Sequence, residues 1–246
     1  MSERKKTKIV ATLGPSTDSP QIIKKMILEG VDVFRINFSH AEHSEVENRI
    51  KIIREVSEKL QSNTSILADL QGPKLRIGKV EDGISLEPGN LITFQNGETF
   101  IGDRQKVYMN YKNFSKDVKP GERVLLDDGK LIFEVISTDK KSIVEAKVIQ
   151  GGSLKSKKGV NLPNTKLSLP ALTAKDVIDA EFAIKQDVDW VALSFVRNSN
   201  DIMDLKNLID QHTVHKIPII AKIEKPEAIE NIDKTVSYTH LRANET

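Results

Sequence analysis

The sequence predicts an α/β protein whose parallel strands are interrupted once by a β-rich segment. Three observations carry that reading. Up to Pro73, short apolar runs alternate with amphipathic helical stretches in the pattern β-α-β-α-β. Residues from 74 to 170 then offer β-prone runs and turn signals but no convincing amphipathic helix. After Leu169-Pro170 the first rhythm returns. Strands that alternate with helices lie parallel, because each crossover helix brings the chain back to the same end of the sheet.

Each element has its own signal. Lys8 to Leu13 reads as the first strand and stops at Gly14-Pro15. Ser19 caps the helix that follows, Pro20 suits its first position, Ile22, Ile23, Met26 and Ile27 form its apolar stripe, and Gly30 ends it. Val31 to Phe34 leads into a second strand that ends in Arg35-Ile36-Asn37-Phe38-Ser39-His40. The next helix is expected near Ser44, where Ser44-x-x-Glu47 fits a capping box, with Val46, Ile50, Ile53 and Leu60 on one side. Ser65 to Leu70 is a third strand, closed by Gln71-Gly72-Pro73.

In the middle segment, Leu91 to Phe94, Arg123 to Leu126, Leu131 to Ile136 and Ile143 to Ile149 read as strands. They are separated by Asn96-Gly97, Pro120-Gly121, Asp128-Gly129 and Gly151-Gly152. Beyond it, Thr173 caps a helix to Lys185. Asp189 to Val196 is a strand, Asn200 to Gln211 a helix, Ile217 to Glu224 the fifth strand, and Pro226 opens a last helix. The chain thus divides into residues 1–72 and 171–236, which form one α/β unit, and residues 73–170, an inserted small all-β domain. Residues 237–246 continue no pattern, resemble translated adaptor sequence, and are read as a non-native tail.

Composition narrows the function classes. Lys+Arg 37 against Asp+Glu 35 leaves a net charge of +2, without the basic excess of a nucleic-acid binder. The absence of cysteine excludes disulfides and thiolate chemistry, so a metal would need oxygen or imidazole ligands. Met1 to Thr7 is charged with no apolar run after it, and no stretch is long enough to span a bilayer, so a cytoplasmic location is expected.

The chemistry gathers at the strand ends. Side chains alternate along a strand, so Arg35, Asn37 and Ser39 share one face and Ile36 and Phe38 the other. By itself the segment reads equally well as Arg35 paired with a carboxylate and Asn37 and Ser39 capping the next helix. Asp69 ends the third strand, Ser194 lies near the end of the fourth, and Lys222 and Glu224 close the fifth at i, i+2 spacing, where a mutual surface salt bridge is the plainer reading. Taken together, four of five strand ends supply two cations, two carboxylates, an amide and hydroxyls. In α/β barrels that end builds the active site, and the set suits a phosphorylated anion with an oxygen-liganded cation such as Mg²⁺. The Lys155 to Pro163 segment adds lysines beside Gly159, a weak phosphate signal alone, since most lysine clusters are solvated surface.

Six segments together resemble pyruvate kinase: Thr7 to Pro15, Arg35 to His40, Asp69-Leu70-Gln71-Gly72-Pro73-Lys74-Leu75-Arg76, Lys157 to Pro163, Leu193 to Arg197, and Ala221-Lys222-Ile223-Glu224. They stand in family order and spacing up to about Lys234. The resemblance implies a (β/α)₈ TIM barrel, of which this chain holds about five of eight strands, with a small β-barrel domain inserted after the third. It implies phosphoryl transfer from phosphoenolpyruvate to ADP, giving pyruvate and ATP in glycolysis. By the same resemblance Arg35 binds the phosphoryl group and substrate, Lys222 neutralises charge on that group, and Glu224 is a ligand of Mg²⁺ (or Mn²⁺). Asn37, Ser39, Asp69 and the carbonyl of Leu70 match a monovalent-cation site. Arg76, Lys158, Asn37 and His40 match the nucleotide side, with Lys158 carried on the inserted lid. The full-length parent is expected to be a homotetramer with no nucleic-acid or membrane partner.

Two departures qualify the match. Lys74 stands where many members have Glu and Leu70 where those have Thr, which resembles the branch that does not require K⁺; the Lys74 ammonium would supply the charge K⁺ otherwise brings. The family's second Mg²⁺-binding acid, in a segment resembling Ala-Arg-Gly-Asp-Leu-Gly, and the domain with effector sites are not in this sequence. The 246-residue chain by itself is therefore expected to fold poorly and be inactive. Another barrel acting on phosphoenolpyruvate or a related keto acid, and a non-catalytic phosphate-binding module, are the alternatives. The acidic ligand, sought downstream in the gene, separates catalysis from the module.

Overall fold

The computed structural model describes residues 6–39 and 41–238. The chain opens with β1 (Val10–Thr12), α1 (Pro20–Leu28), β2 (Val33–Asn37), α2 (His43–Lys59) and β3 (Ser65–Asp69). Then come β4 (Ser85–Leu86), β5 (Leu91–Gln95), β6 (Lys106–Tyr108), α3 (Phe114–Asp117), β7 (Arg123–Leu126), β8 (Leu131–Thr138), β9 (Ile143–Gln150), β10 (Gly152–Ser153) and β11 (Val160–Asn161). The last stretch is α4 (Ala174–Lys185), β12 (Trp190–Leu193), α5 (Ser199–His212), β13 (Ile219–Ala221), α6 (Pro226–Glu230) and α7 (Ile232–Val236). Two compact units result: Met1–Pro73 with Pro170–Thr246, and Lys74–Leu169.

In the first unit the five strands form one sheet in chain order, β1-β2-β3-β12-β13, with every pair parallel. The alternation expected for β2 holds: Phe34, Ile36 and Phe38 are buried, while Arg35 is half-buried and Asn37 exposed. The buried set packs with Ile23 of α1, Val46, Ile50 and Ile53 of α2, Ala180 and Ala183 of α4, and Ile202 and Leu205 of α5. One face of the sheet is thus greasy and covered by helices, and the other is left for polar groups.

Local chemistry sets most boundaries. The Ser19 hydroxyl accepts from the Ile22 N–H with Pro20 at the first helical position, as the sequence predicts. Gly30 takes φ 99°, its N–H reaches the Ile27 carbonyl, and the Val31 N–H reaches that of Met26, a Schellman stop. Thr173 caps α4 reciprocally with Asp176. The α2 expectation needs correction. The helix starts at His43 with Glu42 as its N-cap and no side-chain cap bond, so Ser44 and Glu47 lie inside the first turns and form no capping box. The fifth strand is also shorter than expected, and Lys222 and Glu224 lie just past its end at Ala221.

The second unit has its own core, with Phe94, Phe114 and Phe133 in edge-to-face contacts beside Leu86, Val107 and Val124. Its six-stranded sheet runs β11-β7-β8-β9-β5-β6, and β4 pairs with β10. The pairs are antiparallel except β5 with β6. The one-turn helix α3 is an element the sequence reading lacks. Among the described residues, no helix is long and apolar enough to cross a membrane.

Candidate functional site

All five strands of the first unit deliver a polar group at their C-terminal ends. Asp69, at the end of β3, is the centre of the set and only 2% exposed. A buried carboxylate is unfavourable unless it is paired and hydrogen-bonded, and here two cations do both. Arg35 of β2 donates to Asp69 Oδ2 through Nε at 2.7 Å and again through Nη2, while Lys222 Nζ donates to Asp69 Oδ1 at 3.2 Å. The pairing register explains the meeting: Asn37 lies opposite Asp69 on one side and Ala192 opposite it on the other, which puts Arg35 one residue pair behind on the same face.

The chain of contacts continues both ways. Arg35 Nη1 donates to the Thr12 hydroxyl of β1 at 2.8 Å. Lys222 Nζ donates to Ser194 Oγ at 2.8 Å, and Ser194 Oγ donates to the Leu70 carbonyl at 2.6 Å. Glu224 Oε1 stands 3.5 Å from Lys222 Nζ, and its Oε2 accepts from the Phe195 N–H at 3.0 Å. The Lys222–Glu224 salt bridge weighed from the sequence therefore exists, but Lys222 is also tied to Asp69 and Ser194. Gly72 makes room for this edge. At φ +68°, a Cβ there would stand 2.9 Å from both the Phe195 ring and Ser194 Cβ. Its N–H donates to the buried Asp176 at 3.0 Å.

The expected residues thus separate into groups. Arg35, Asp69, Lys222 and Glu224 are joined to one another directly, and Ser194 ties the Leu70 carbonyl to Lys222. Asn37 and Ser39 are joined to each other, since Asn37 Oδ1 accepts from the Ser39 N–H at 3.0 Å; no hydrogen bond links either side chain to Asp69 among the described residues. His40 lies outside the described residues, as does the expected tail from residue 239 on. In the second unit, Arg76 and the Lys158 loop are neighbours. Arg76 bridges Gly159, its Nη1 donates to the Lys157 carbonyl at 2.6 Å, and Lys158 Nζ pairs with Asp127 at 2.9 Å. That hydrogen bond from Lys158, with help from Lys130, holds the Asp127 carboxyl below the usual carboxylate range. Lys74 belongs to this second unit, where its carbonyl accepts from Asn110. Sequence reasoning missed Thr12; a threonine ending a strand beside an arginine strand was the available signal.

The oxygen donors can be tested against the cations that the family resemblance implies. Among the described residues no cluster of three or more His, Cys, Asp or Glu side chains could enclose a metal ion. Glu224 is 37% exposed at its side chain. A lone carboxylate suits Mg²⁺ shared with substrate phosphates and water, which keeps most of its shell from those sources, and does not suit a closed cage. The oxygens of Asn37, Asp69 and Leu70 each accept a hydrogen bond already, so a monovalent cation would share them rather than fill an open cage.

Parallel strands that gather charged groups at their C-terminal ends define an α/β protein, and in α/β sheets and barrels generally that edge is where ligands bind. Comparison with known proteins gives the family. Residues 4–241 match the model described as "Pyruvate kinase, barrel domain". The chain belongs to the pyruvate kinase family. It is 39% identical over 235 residues to a pyruvate kinase of Clostridium perfringens, which covers 95% of this chain and 49% of that protein. It is 41% identical over 239 residues to one of Corynebacterium glutamicum, covering 94% and 48%. With the enzyme of Staphylococcus saprophyticus the identity is 43% over 237 residues, covering 96% and 40%. The chain spans about half the length of the curated relatives it matches.

Proposed function

We propose that this chain is the part of a pyruvate kinase that binds phosphoenolpyruvate and begins phosphoryl transfer to ADP, giving pyruvate and ATP. The observation that carries the reading is Asp69, buried between Arg35 and Lys222, which holds two cations on one face of the strand ends. Phosphoryl transfer needs little covalent chemistry from the protein. It needs charges fixed in advance where negative charge shifts. Arg35, braced by Thr12 and Asp69, would bind the phosphoryl group and the substrate. Lys222, braced by Asp69 and Ser194, would neutralise charge on the group in flight; its ammonium needs no reorientation, because three oxygens already fix it.

Glu224 would hold Mg²⁺ or Mn²⁺, which when bound supplies positive charge shared between protein and substrate. Arg76 and Lys158 of residues 73–170 would contact the nucleotide phosphates, as would Asn37 and His40. The first unit would be about five strands of a (β/α)₈ barrel, residues 1–72 with 171–236, in a cytoplasmic homotetramer. Asn37, Ser39, Asp69 and the Leu70 carbonyl would be the monovalent-cation site, with Lys74 making K⁺ dispensable.

Two assays on the complete gene product test this. Lys222→Met should lower kcat about 10²–10³-fold, the usual loss for one electrostatic stabiliser, with KM for phosphoenolpyruvate changed much less; turnover within tenfold of the parent would refute the role. Activity without K⁺ should match activity with it, and strong K⁺ activation would refute the Lys74 reading.

A further inference from the structure

Behind β2, on the face opposite Arg35, lies a polar cluster that the substrate face does not use. Asp179 of α4 is buried, at 3% exposure. Its Oδ2 accepts from Lys175 Nζ at 2.5 Å, and its Oδ1 pairs with His43 Nε2, at the start of α2, at 2.8 Å. Lys175 Nζ also donates to the backbone carbonyl of Phe38 at 2.9 Å, across 137 residues of sequence. The His43 ring stacks on Phe182 at 4.1 Å and 11°, and the Phe38 ring meets both edge-on.

Lys175 and Asp179 are spaced i, i+4, a pair that ordinarily does no more than steady an exposed helix. Two facts set this pair apart. The carboxylate is buried rather than solvated, and the ammonium is shared with a carbonyl on another element. The Phe38 N–H in turn donates to the Asp69 carbonyl at 3.0 Å. Phe38 is therefore held on one side by the strand that carries Asp69 and on the other by α4. The next residue of α4, Asp176, grips the loop after β3 through Gly72 N–H. The first turn of α4 thus fastens the segments that follow both β2 and β3.

We infer that Lys175, oriented by Asp179 and His43, is a positioning residue that fixes the end of β2 and so the orientation of Arg35 and Asn37 toward an anionic substrate. The inference rests on the proposed function for its kinetic arm only. In the complete gene product, Lys175→Met should raise amide hydrogen exchange in peptides spanning residues 36–42 about tenfold, the loss of one charge-assisted hydrogen bond. It should raise KM for phosphoenolpyruvate by a similar factor while kcat changes less than twofold, with the thermal transition of Trp190 fluorescence retained. Lys175→Arg should restore both. If the methionine variant does not fold, Lys175→Gln takes its place. Unchanged exchange in these peptides, or an increase that Arg does not rescue, overturns the inference. If the parent itself does not turn over phosphoenolpyruvate, the functional reading fails and the exchange result alone decides the positioning role.

Discussion

Replacing Asp69 with asparagine keeps its shape and removes its charge, leaving Arg35 and Lys222 facing an amide. Breaking a fully buried ion pair from one side costs about 3–5 kcal/mol, because the partner's charge stays desolvated. Here Asp69 is buried, but the Arg35 and Lys222 side chains keep 32% and 28% of their exposure. Water can take up part of their charge, so the expected loss falls to about 2 kcal/mol. The chain carries its own reporter. Trp190, the single tryptophan, starts β12 and lies opposite Leu67 of β3. Urea unfolding of the complete gene product, with the Trp190 signal isolated by difference from a Trp190→Phe variant, should show the Asp69→Asn midpoint shifted down with the slope unchanged. In the Asp69→Asn background, Lys222→Met should cost less than it does in the parent, because the pair is already broken. A loss below about 0.5 kcal/mol, the usual scale of an unremarkable surface change, would refute the view that Asp69 is the electrostatic centre of the strand ends.

Two further tests follow from the structure. Gly72→Ala meets both a left-handed backbone and a Cβ 2.9 Å from Phe195 and Ser194, whereas Gly83→Ala at φ +76° meets open space. Gly72→Ala should therefore lower stability by clearly more than the roughly 1 kcal/mol of the left-handed strain alone; equal losses would deny the close packing. Burial, and then the hydrogen bond to the Asp117 carboxylate, push the Tyr111 phenol up to about 12, against the opposing pull of its Ser168 contacts. The unfolded chain releases that proton near 10, so this contribution is complete below pH 10 and disappears as pH rises through 12. Tyr111→Phe should flatten the alkaline fall in stability over that window, and an unchanged profile would count against the assignment.

The order of the parallel strands was legible because it rests on periodicity: apolar runs alternate with 3.6-residue stripes, and Ser19-Pro20 and Thr173 announce their helices. Arg35, Asp69, Lys222 and Glu224 were legible as strand-end residues. Their joining was not, because Arg35–Asp69 and Lys222–Asp69 pairings depend on the lateral register of strands 34 and 153 residues apart in sequence. Ser44-x-x-Glu47 misled because its spacing is also satisfied one residue inside a helix that needs no side-chain cap. The strands β4, β10 and β11 have two residues each, too few to express any alternation.

The seam between β3 and β12 has a kinetic consequence. Every other neighbouring pair in that sheet is joined by a single helical crossover, but the seam joins residues such as Ile66 and Asp189, 123 positions apart. Most of that span is the second unit, which has a core of its own. If that unit condenses first, the flexible length to be closed shrinks about fourfold, which lowers the closure entropy by roughly 1.2 kcal/mol. The inserted segment then acts on the assembly of the sheet as a spacer that must shorten before β3 can find β12, and the strand end bearing Asp69 is completed late, on the folding of residues that contribute no strand to it.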